Sequence, residues 1–376
     1  MHVITHGDRD EVSFYDGAYV HRLATRLERY HRYRQMPNLY HALNRGHGVY
    51  EKVQRLILND GVQLLDSPLW LFEGLVTAVS GLLPVAVRLV TPMKEIAALQ
   101  GDRGDDVRLQ GEMEQALIER ADHLLPNSQA TLDMIPRLYG LQPEANRYSI
   151  VPYGIVPAPE DQVRPFPTEH EGKDLTVLVV GRLERRTGIG PLLEAIPRVL
   201  EQVPQARFVI AGKDNSRNDG FWRRTGRDYA GYFAHRHPRH ASHVEFTGSV
   251  SDEALQDLYR SCDLFVAPSL YESFGLVYLE AMNYAKPVVG CQAGGVPEVV
   301  DHGRTGLLVE PGAAEALAEG ILSLLRSPAR LREMGLAGRC RVVEQFNYLQ
   351  MARRFEAAYR LTIRRFEARA QGEGSP

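Results

Sequence analysis

What this chain lacks narrows its function first. Its 376 residues hold only three cysteines, Cys262, Cys291 and Cys340, far apart and odd in number. That excludes a disulfide-stapled scaffold and fits free thiols in a reducing compartment. No histidine, cysteine or carboxylate group shows metal-ligand spacing, so no metal and no other cofactor is expected. Charge is nearly balanced, 44 Lys and Arg against 47 Asp and Glu, a net of −3. That balance argues by itself neither for nor against a polyanionic partner, and no nucleic-acid partner is expected. No apolar run is long enough to span a bilayer, and the N-terminus lacks the charged and apolar blocks of a signal peptide. A cytoplasmic protein is the expectation.

What is present is an alternation. Short β-rich runs such as "HVITH" (2–6), "PVAVRLV" (84–90), "LTVLVVG" (175–181), "ARFVIAG" (206–212) and "LFVAPS" (264–269) are each followed by helix-forming sequence. Such alternation predicts an α/β protein with parallel sheets covered by helices on both faces. A single core rarely grows past roughly 250–300 residues, so two domains are expected. Prolines 152, 157, 159, 165 and 167 make residues 151–172 a stiff, extended connector. The expected division is residues 1–155, residues 156–346, and a C-terminal helix over 347–370 that packs back toward the first domain. In open α/β sheets ligands sit at the carboxyl ends of the strands, so the cleft between two facing domains is the expected site.

The stretch "LYESFGLVYLEAMNYAKPVVGCQAGGVPEVV" concentrates the chemistry. A strand ends at Ser269, and a loop leads into a helix predicted to begin near Phe274 or Gly275. The first turn of a helix presents unpaired N–H groups at its positive end, which suits an anion. Gly275 removes a side chain where a ligand approaches the backbone. Leu276 and Glu280 lie four apart, one turn of the helix. Glu280 would accept bonds from a pair of hydroxyls, as on a ribose. Glu272 would accept from sugar hydroxyls or stabilise positive charge at a reacting carbon. Together the parts describe a pyrophosphate with a sugar at each end. Spacing alone favours a blander meaning, a surface loop and an exposed helical glutamate.

The wider context decides between them. "LFVAPSLYESFGLVYLEAMNYAKPVVGCQAGGVPEVVDHGRTGLLVEPG", with "VLVVGRLERRTGIGPLLEAIPRVL", "ARFVIAGKDN" and "HVEFTGSVSDEALQDLYRSCDLFVAPS", resembles retaining GT-B glycosyltransferases of family four. The resemblance covers nearly the whole chain and is strongest over 175–320. It implies two Rossmann-like domains facing a central cleft. It also implies transfer of a hexose from a nucleotide-diphosphate sugar to a hydroxyl acceptor, a glycan, lipid or small molecule. Residue by residue, it implies that Glu272 contacts the donor sugar near the reacting centre and Glu280 holds the ribose. Ser273 and the amides of Phe274, Gly275, Leu276 and Val277 would hold the diphosphate. Gly181 and Arg182 of "GRL" would meet the diphosphate, with Arg182 neutralising it, and Gly294 and Gly295 would let the chain pass close to the sugar. A front-face mechanism, in which the leaving phosphate helps remove the acceptor proton, needs no enzymic nucleophile and no metal.

Three positions depart from the family pattern. Thr187 stands where a lysine is usual, and it brings one hydrogen bond but no charge; Arg185 or Arg186 would have to take the lysine's part, or only coat a helix start. Val90 stands at a strand end where many relatives carry histidine. The opening "HVITHG" looks like a second strand, so the usual first strand and its glycine-rich turn are absent, and a truncated or misassigned start is expected. These departures motivate an alternative, a catalytically weakened nucleotide-sugar-binding relative or partner subunit. A nucleotide-sugar epimerase on the same fold is the third possibility.

Residues 21–55 are basic, with eight cations against Glu28 and Glu51 and with Tyr30, Tyr33 and Tyr40 interleaved. A solvated helical face is the commoner meaning of such a run. Peripheral contact with an anionic membrane, at its inner face, or with a phosphate-bearing acceptor is the sharper one. Residues 221–240 read as a surface insertion with a packed Trp222. Gly188-x-Gly190 is too short for a dinucleotide fingerprint. Asp122-His123 and Asp301-His302 are expected to be structural.

Overall fold

The structure is a computed structural model, and it describes residues 1–26, 29–101, 104–167 and 174–371. The chain divides into two compact units: Met1–Val151 with Arg353–Pro376, and Pro152–Ala352. Among the described residues no helix is long and apolar enough to cross a membrane.

The first unit holds β1 (His2–Gly7), β2 (Glu11–Tyr15), β3 (Ala18–Ala24), β4 (Leu65–Pro68), β5 (Val85–Leu89) and β6 (His123–Pro126). They form two separate three-stranded sheets, β1-β3-β2 and β4-β5-β6. β1 pairs with β3 in parallel, and β2 returns on β3 as an antiparallel hairpin. Strand β2 was not expected from the apolar pattern. Its turn is Asp16-Gly17, both at positive φ (47° and 79°), the backbone that an Asp-Gly pair favours between hairpin strands. The second sheet is all parallel. Helix Pro37–Asp60 supplies Val49 and Val53 to a small cluster with Leu83, against which Ile4 of β1 and Leu65 of β4 pack. The C-terminal helix, Tyr348–Ala370, contributes Ala358 to a cluster with Ala86, Leu125 and Val151, and Tyr359 donates to Asp66.

The second unit is built on one six-stranded parallel sheet in the order β12-β11-β10-β7-β8-β9. These strands are β7 (Leu175–Val180), β8 (Ala206–Ala211), β9 (Val244–Gly248), β10 (Leu264–Ala267), β11 (Val288–Cys291) and β12 (Gly306–Val309). Strands β10 and β11 are buried throughout, as unbroken apolar runs in a sheet covered on both faces should be. One face carries helix Ile189–Gln202, whose Leu192, Leu193, Ile196, Val199 and Leu200 recur at helical spacing and are buried. The other face carries helix Leu276–Asn283 with Tyr278, Leu279 and Met282. The proline-rich connector begins as a strap on this unit rather than a free spacer. Ile155 N–H donates to Phe346, Ala158 N–H donates to Asn283, and buried Arg339 donates to the Ala158 carbonyl.

Candidate functional site

Strand order places the site. From β7 the chain moves to β8 on one side, whereas β10 lies on β7's other side. The connections that leave the carboxyl ends of β7 and β10 therefore run in opposite directions and open a crevice between them. Gly181, Arg182, Leu183 and Thr187, after β7, line a cavity of about 20 Å³ together with Pro268 and Ser269, after β10.

Glu272 stands at this crevice and is held from two sides. Its Oε1 accepts from Ser269 Oγ at 3.1 Å and from an Arg186 guanidinium nitrogen at 3.2 Å. Arg186 also donates to the Tyr271 carbonyl and lies 3.3 Å from Glu184 Oε1. The Arg186 side chain is only 16% exposed and Glu184 only 4%. A partly buried cation between two carboxylates is fixed in place, because removing it would leave both acids desolvated and unpaired. Glu272 keeps 25% exposure, so the carboxylate faces the crevice while its orientation is set by the protein. Arg182 differs: its side chain is 62% exposed and pairs with Glu184 at 3.5 Å.

The helix after the loop begins one residue later than expected, at Leu276, with Gly275 as its cap. Gly275 has φ 97°, and a Cβ there would sit 2.6 Å from the Tyr278 ring. The glycine is therefore required by Tyr278, whose hydroxyl donates to the Ala267 carbonyl. This intramolecular reason stands beside the expectation that the glycine clears space for a ligand. Phe274 points inward, 2% exposed, with its ring edge-on to Tyr153 and Phe346. That anchors the loop, while the first N–H groups of the helix lack intrahelical acceptors. Leu276 is exposed and Val277 partly so. Glu280 lies one turn deeper, and its Oε2 accepts from Tyr259 at 2.7 Å. Burial, then the Glu280 charge, push the Tyr259 hydroxyl well above its usual range, so it stays protonated and donates.

Gly294 and Gly295 reach the same place. Gly295 N–H donates to the Glu272 carbonyl at 2.8 Å, and a Cβ on Gly294, at φ 57°, would lie 2.0 Å from that oxygen. Both residues thus join the loop after β11 to the Glu272 loop, and the close approach explains the glycine at 294.

Thr187 is turned away. Its hydroxyl donates toward the carbonyls of Arg182 (2.6 Å) and Glu184 (2.9 Å), closing its own turn before the helix. One hydroxyl has one proton, and here it is spent on the turn, while the residue still lines the crevice cavity. Of the two arginines before it, Arg186 is the one aimed at Glu272, while Arg185 is exposed and its N–H donates to Asp219. Pattern reasoning named Arg185 or Arg186 without choosing between them, and did not single out Ser269 or Tyr259. Only the pairing of β7 with β10 and the packing of helix Asp252–Ser261 bring them in.

The remaining candidates are structural. His123 is buried against Ser149, with its ring pushed down to about 4 by burial and the nearby arginines, and Asp122 pairs with Arg369. His302 accepts from the Leu308 N–H. Trp222 packs under Arg217 at 4.3 Å. Val90 follows β5 and is partly buried against that sheet's core. Burial pushes Cys262 up to about 12 and Cys291 up to about 11, so both remain thiols. Among the described residues no group of three or more His, Cys, Asp or Glu could hold a metal ion.

Comparison with known proteins bears on this arrangement directly. Residues 161–341, which contain both halves of the crevice, match the family described as Glycosyl transferases group 1. That part of the chain belongs to this family. Among its relatives is the alpha-maltose-1-phosphate synthase of Mycolicibacterium smegmatis, 30% identical over 66% of this chain and 65% of that one. Another is the D-inositol 3-phosphate glycosyltransferase of Kribbella flavida, 31% identical over 73% of this chain and 66% of that one. The chain therefore spans about two thirds of the length of these curated relatives. A solved sucrose-phosphate synthase from Thermosynechococcus elongatus matches 96% of this chain and 88% of its own at 25% identity, with a TM-score of 0.74. HepE of Anabaena, solved with UDP-glucose, matches 83% of this chain at 20% identity and a TM-score of 0.65, a likeness of fold. The GT-B class expected from the motifs, two Rossmann-like α/β units, is the class of these neighbours. Glu272, in the loop after β10, and Glu280, one turn into the following helix, both lie within the matched residues.

Proposed function

We propose that this group 1 glycosyltransferase retains anomeric configuration and moves a hexose from a nucleoside-diphosphate sugar to a hydroxyl acceptor. The observation that carries the reading is the convergence at one crevice of an oriented carboxylate, Glu272, with the unpaired N–H groups that open helix Leu276–Asn283. In this reading Leu276 and Val277 N–H groups hold the diphosphate, with Gly275 and Ser273 shaping the loop, and Arg182 turns onto the phosphate as charge builds there. Arg186 does not replace the family's lysine as a free phosphate ligand, because Glu184 and Glu272 already engage it. It positions Glu272 against the sugar. Glu280, with one oxygen fixed by Tyr259, accepts from the ribose hydroxyls with the other. No step in this reading calls for a metal.

The step itself is a substitution at the anomeric carbon. The bond from that carbon to the diphosphate oxygen breaks, the acceptor oxygen bonds on the same face, and its proton passes to the departing phosphate. Donors fixed where the phosphate gains charge lower the barrier, and losing one such group typically costs about 100- to 1,000-fold in rate. A panel of nucleoside-diphosphate hexoses, scored for hydrolysis and for transfer, tests the reading, with proton NMR of the first product giving its configuration. Transfer with retention that falls sharply in Glu272→Gln supports it. Turnover unchanged by that substitution removes Glu272 from the mechanism. Binding without turnover on any donor supports the weakened relative that the Thr187 and Val90 departures suggested.

A further inference from the structure

The basic stretch of the first unit is concave. His6 at the end of β1 and Leu23, Ala24 and Thr25 at the end of β3 form one wall of a cavity of about 140 Å³. The other wall is one face of helix Pro37–Asp60: Asn44, Gly48, Glu51, Lys52 and Arg55, at three- and four-residue spacing, with Arg45 and His47 beside them. A water takes roughly 30 Å³ in the liquid, so the space admits a compact polyatomic group. It also lies at the carboxyl ends of β1 and β3, where open α/β sheets bind ligands.

The charges facing this space do not cancel. Among the described residues five cations, Arg26, Arg29, Arg45, Lys52 and Arg55, line it, against the carboxylates of Asp10 and Glu51. Arg26 pairs with Asp10, Arg29 pairs with Glu51 at 2.6 Å, and Arg45 lies 3.4 Å from Glu73. Among the described residues Lys52 and Arg55 have no ion-pair partner. Two buried ring nitrogens on the walls, His47 Nδ1 and His6 Nδ1, also lack a hydrogen bond among the described residues. Asn44, 5% exposed, accepts from Arg29 N–H and donates to the Tyr40 carbonyl, so the mouth is held in shape.

We propose that this cavity binds a phosphate monoester carried by the acceptor. The inference rests on the transferase reading for the word acceptor, and on the cavity alone for the phosphate. A phosphate monoester brings close to two negative charges and three acceptor oxygens with nothing to donate beyond an occasional proton, which matches a surplus of cations and unpartnered donors. A flat membrane surface is matched less well, because the charges converge inward on a pocket. A headgroup whose phosphate is a monoester offers the same chemistry as a soluble sugar phosphate, and the experiment separates the two.

Lys52 reports on the pocket directly. Its acetylation is mapped by mass spectrometry on the full chain in inorganic phosphate, then in chloride and acetate at equal ionic strength. Phosphate is expected to slow Lys52 modification at least about fivefold relative to both controls. Equal rates in all three overturn the proposal. Vesicles containing phosphatidic acid, a monoester, are compared with vesicles of phosphatidylglycerol, a diester, at mole fractions that give equal surface charge. Protection by phosphatidic acid at phosphate concentrations at least tenfold below inorganic phosphate assigns the group to a headgroup, and the reverse order assigns it to a soluble acceptor. Equal protection by both lipids overturns the pocket in favour of plain surface charge. Finally, Lys52→Gln with Arg55→Gln removes two cations that leave no carboxylate orphaned, so folding is spared. With a hexose phosphate as acceptor the double variant should raise KM about tenfold, leave KM for the unphosphorylated hexose unchanged, and leave donor hydrolysis at the parent rate. An equal rise for both hexoses overturns the phosphate assignment. Absence of donor hydrolysis in the parent protein strikes the transferase reading instead, while the Lys52 footprint still reads the pocket.

Discussion

The two units solve the same problem with different completeness. In the second, six parallel strands form one sheet covered on both faces, and the edge left by β10 is taken by β7 on one side and β11 on the other. In the first, six strands make two sheets that share no hydrogen bonds. Among the described residues β1 pairs only with β3 and β4 only with β5, so each keeps a polar edge without a strand. Val12, Phe14, Tyr15 and Tyr19 on the first sheet are exposed as well. Unpaired edges and uncovered apolar side chains lower the free energy needed to open a region locally. The lesson is a division of labour: the crevice proposed for the leaving group sits on the continuous sheet, and the split sheets carry the basic cavity.

That comparison can be broken in several ways, the largest effect first. Glu272→Gln in the second unit should lower the transfer rate about 1,000-fold with the melting temperature nearly unchanged; Arg186→Ala should lower it about 100-fold, through the lost orientation of Glu272. Steady-state kinetics beside thermal melting checks both, and a parallel loss of stability and rate in Glu272→Gln would reassign that residue to the fold. Next, amide exchange of His2–Gly7 should run at least about 100-fold faster than that of Leu175–Val180. Equal protection would show that the split sheets are as hard to open as the continuous one.

A pH effect is expected in the first unit. Burial pushes the Glu114 carboxyl up to about 7 from an ordinary 4.5, despite hydrogen bonds from Tyr139 and the Met93 N–H. Between those two values the folded chain holds a proton that the unfolded chain has released. Stability contributed by Glu114 therefore falls as pH rises from about 4.5 through 7 and stays low above it. Glu114→Gln removes that fall, so its unfolding free energy relative to the parent should rise by roughly 2–3 kcal/mol between pH 5 and pH 8. Denaturant melts at the two pH values check it, and a constant difference would contradict it. The smallest effect belongs to Thr187→Val, which should cost about 1 kcal/mol through the lost turn and change turnover less than about threefold.

Much of the second unit was legible because its strands are buried on both faces and so read as plain apolar runs, as in "LTVLVVG" and "LFVAPS". β12 was missed as a strand because "GLLV" is four residues long at the sheet's end. β2 was missed because its side chains are almost all exposed and leave no apolar alternation, although Asp16-Gly17 was a visible hairpin signal. In the site, the glutamates and glycines were visible in their motif. The reasons for Gly275 and Gly294 were not, since they depend on Tyr278 and on the Glu272 carbonyl. Which of Arg185 and Arg186 faces Glu272 turns on one short helical turn, Arg185–Thr187, and no spacing rule reads that. The basic run over 21–55 was plain in the sequence, but its concavity needed β1, β3 and helix Pro37–Asp60 in place.

The most direct test is a crystal structure of the protein soaked with its nucleoside-diphosphate sugar. Phosphate oxygens are predicted about 3 Å from the Leu276 and Val277 nitrogens, with the hexose against Glu272 and the ribose against Glu280. A diphosphate bound elsewhere, with those amides facing only water, would contradict the account.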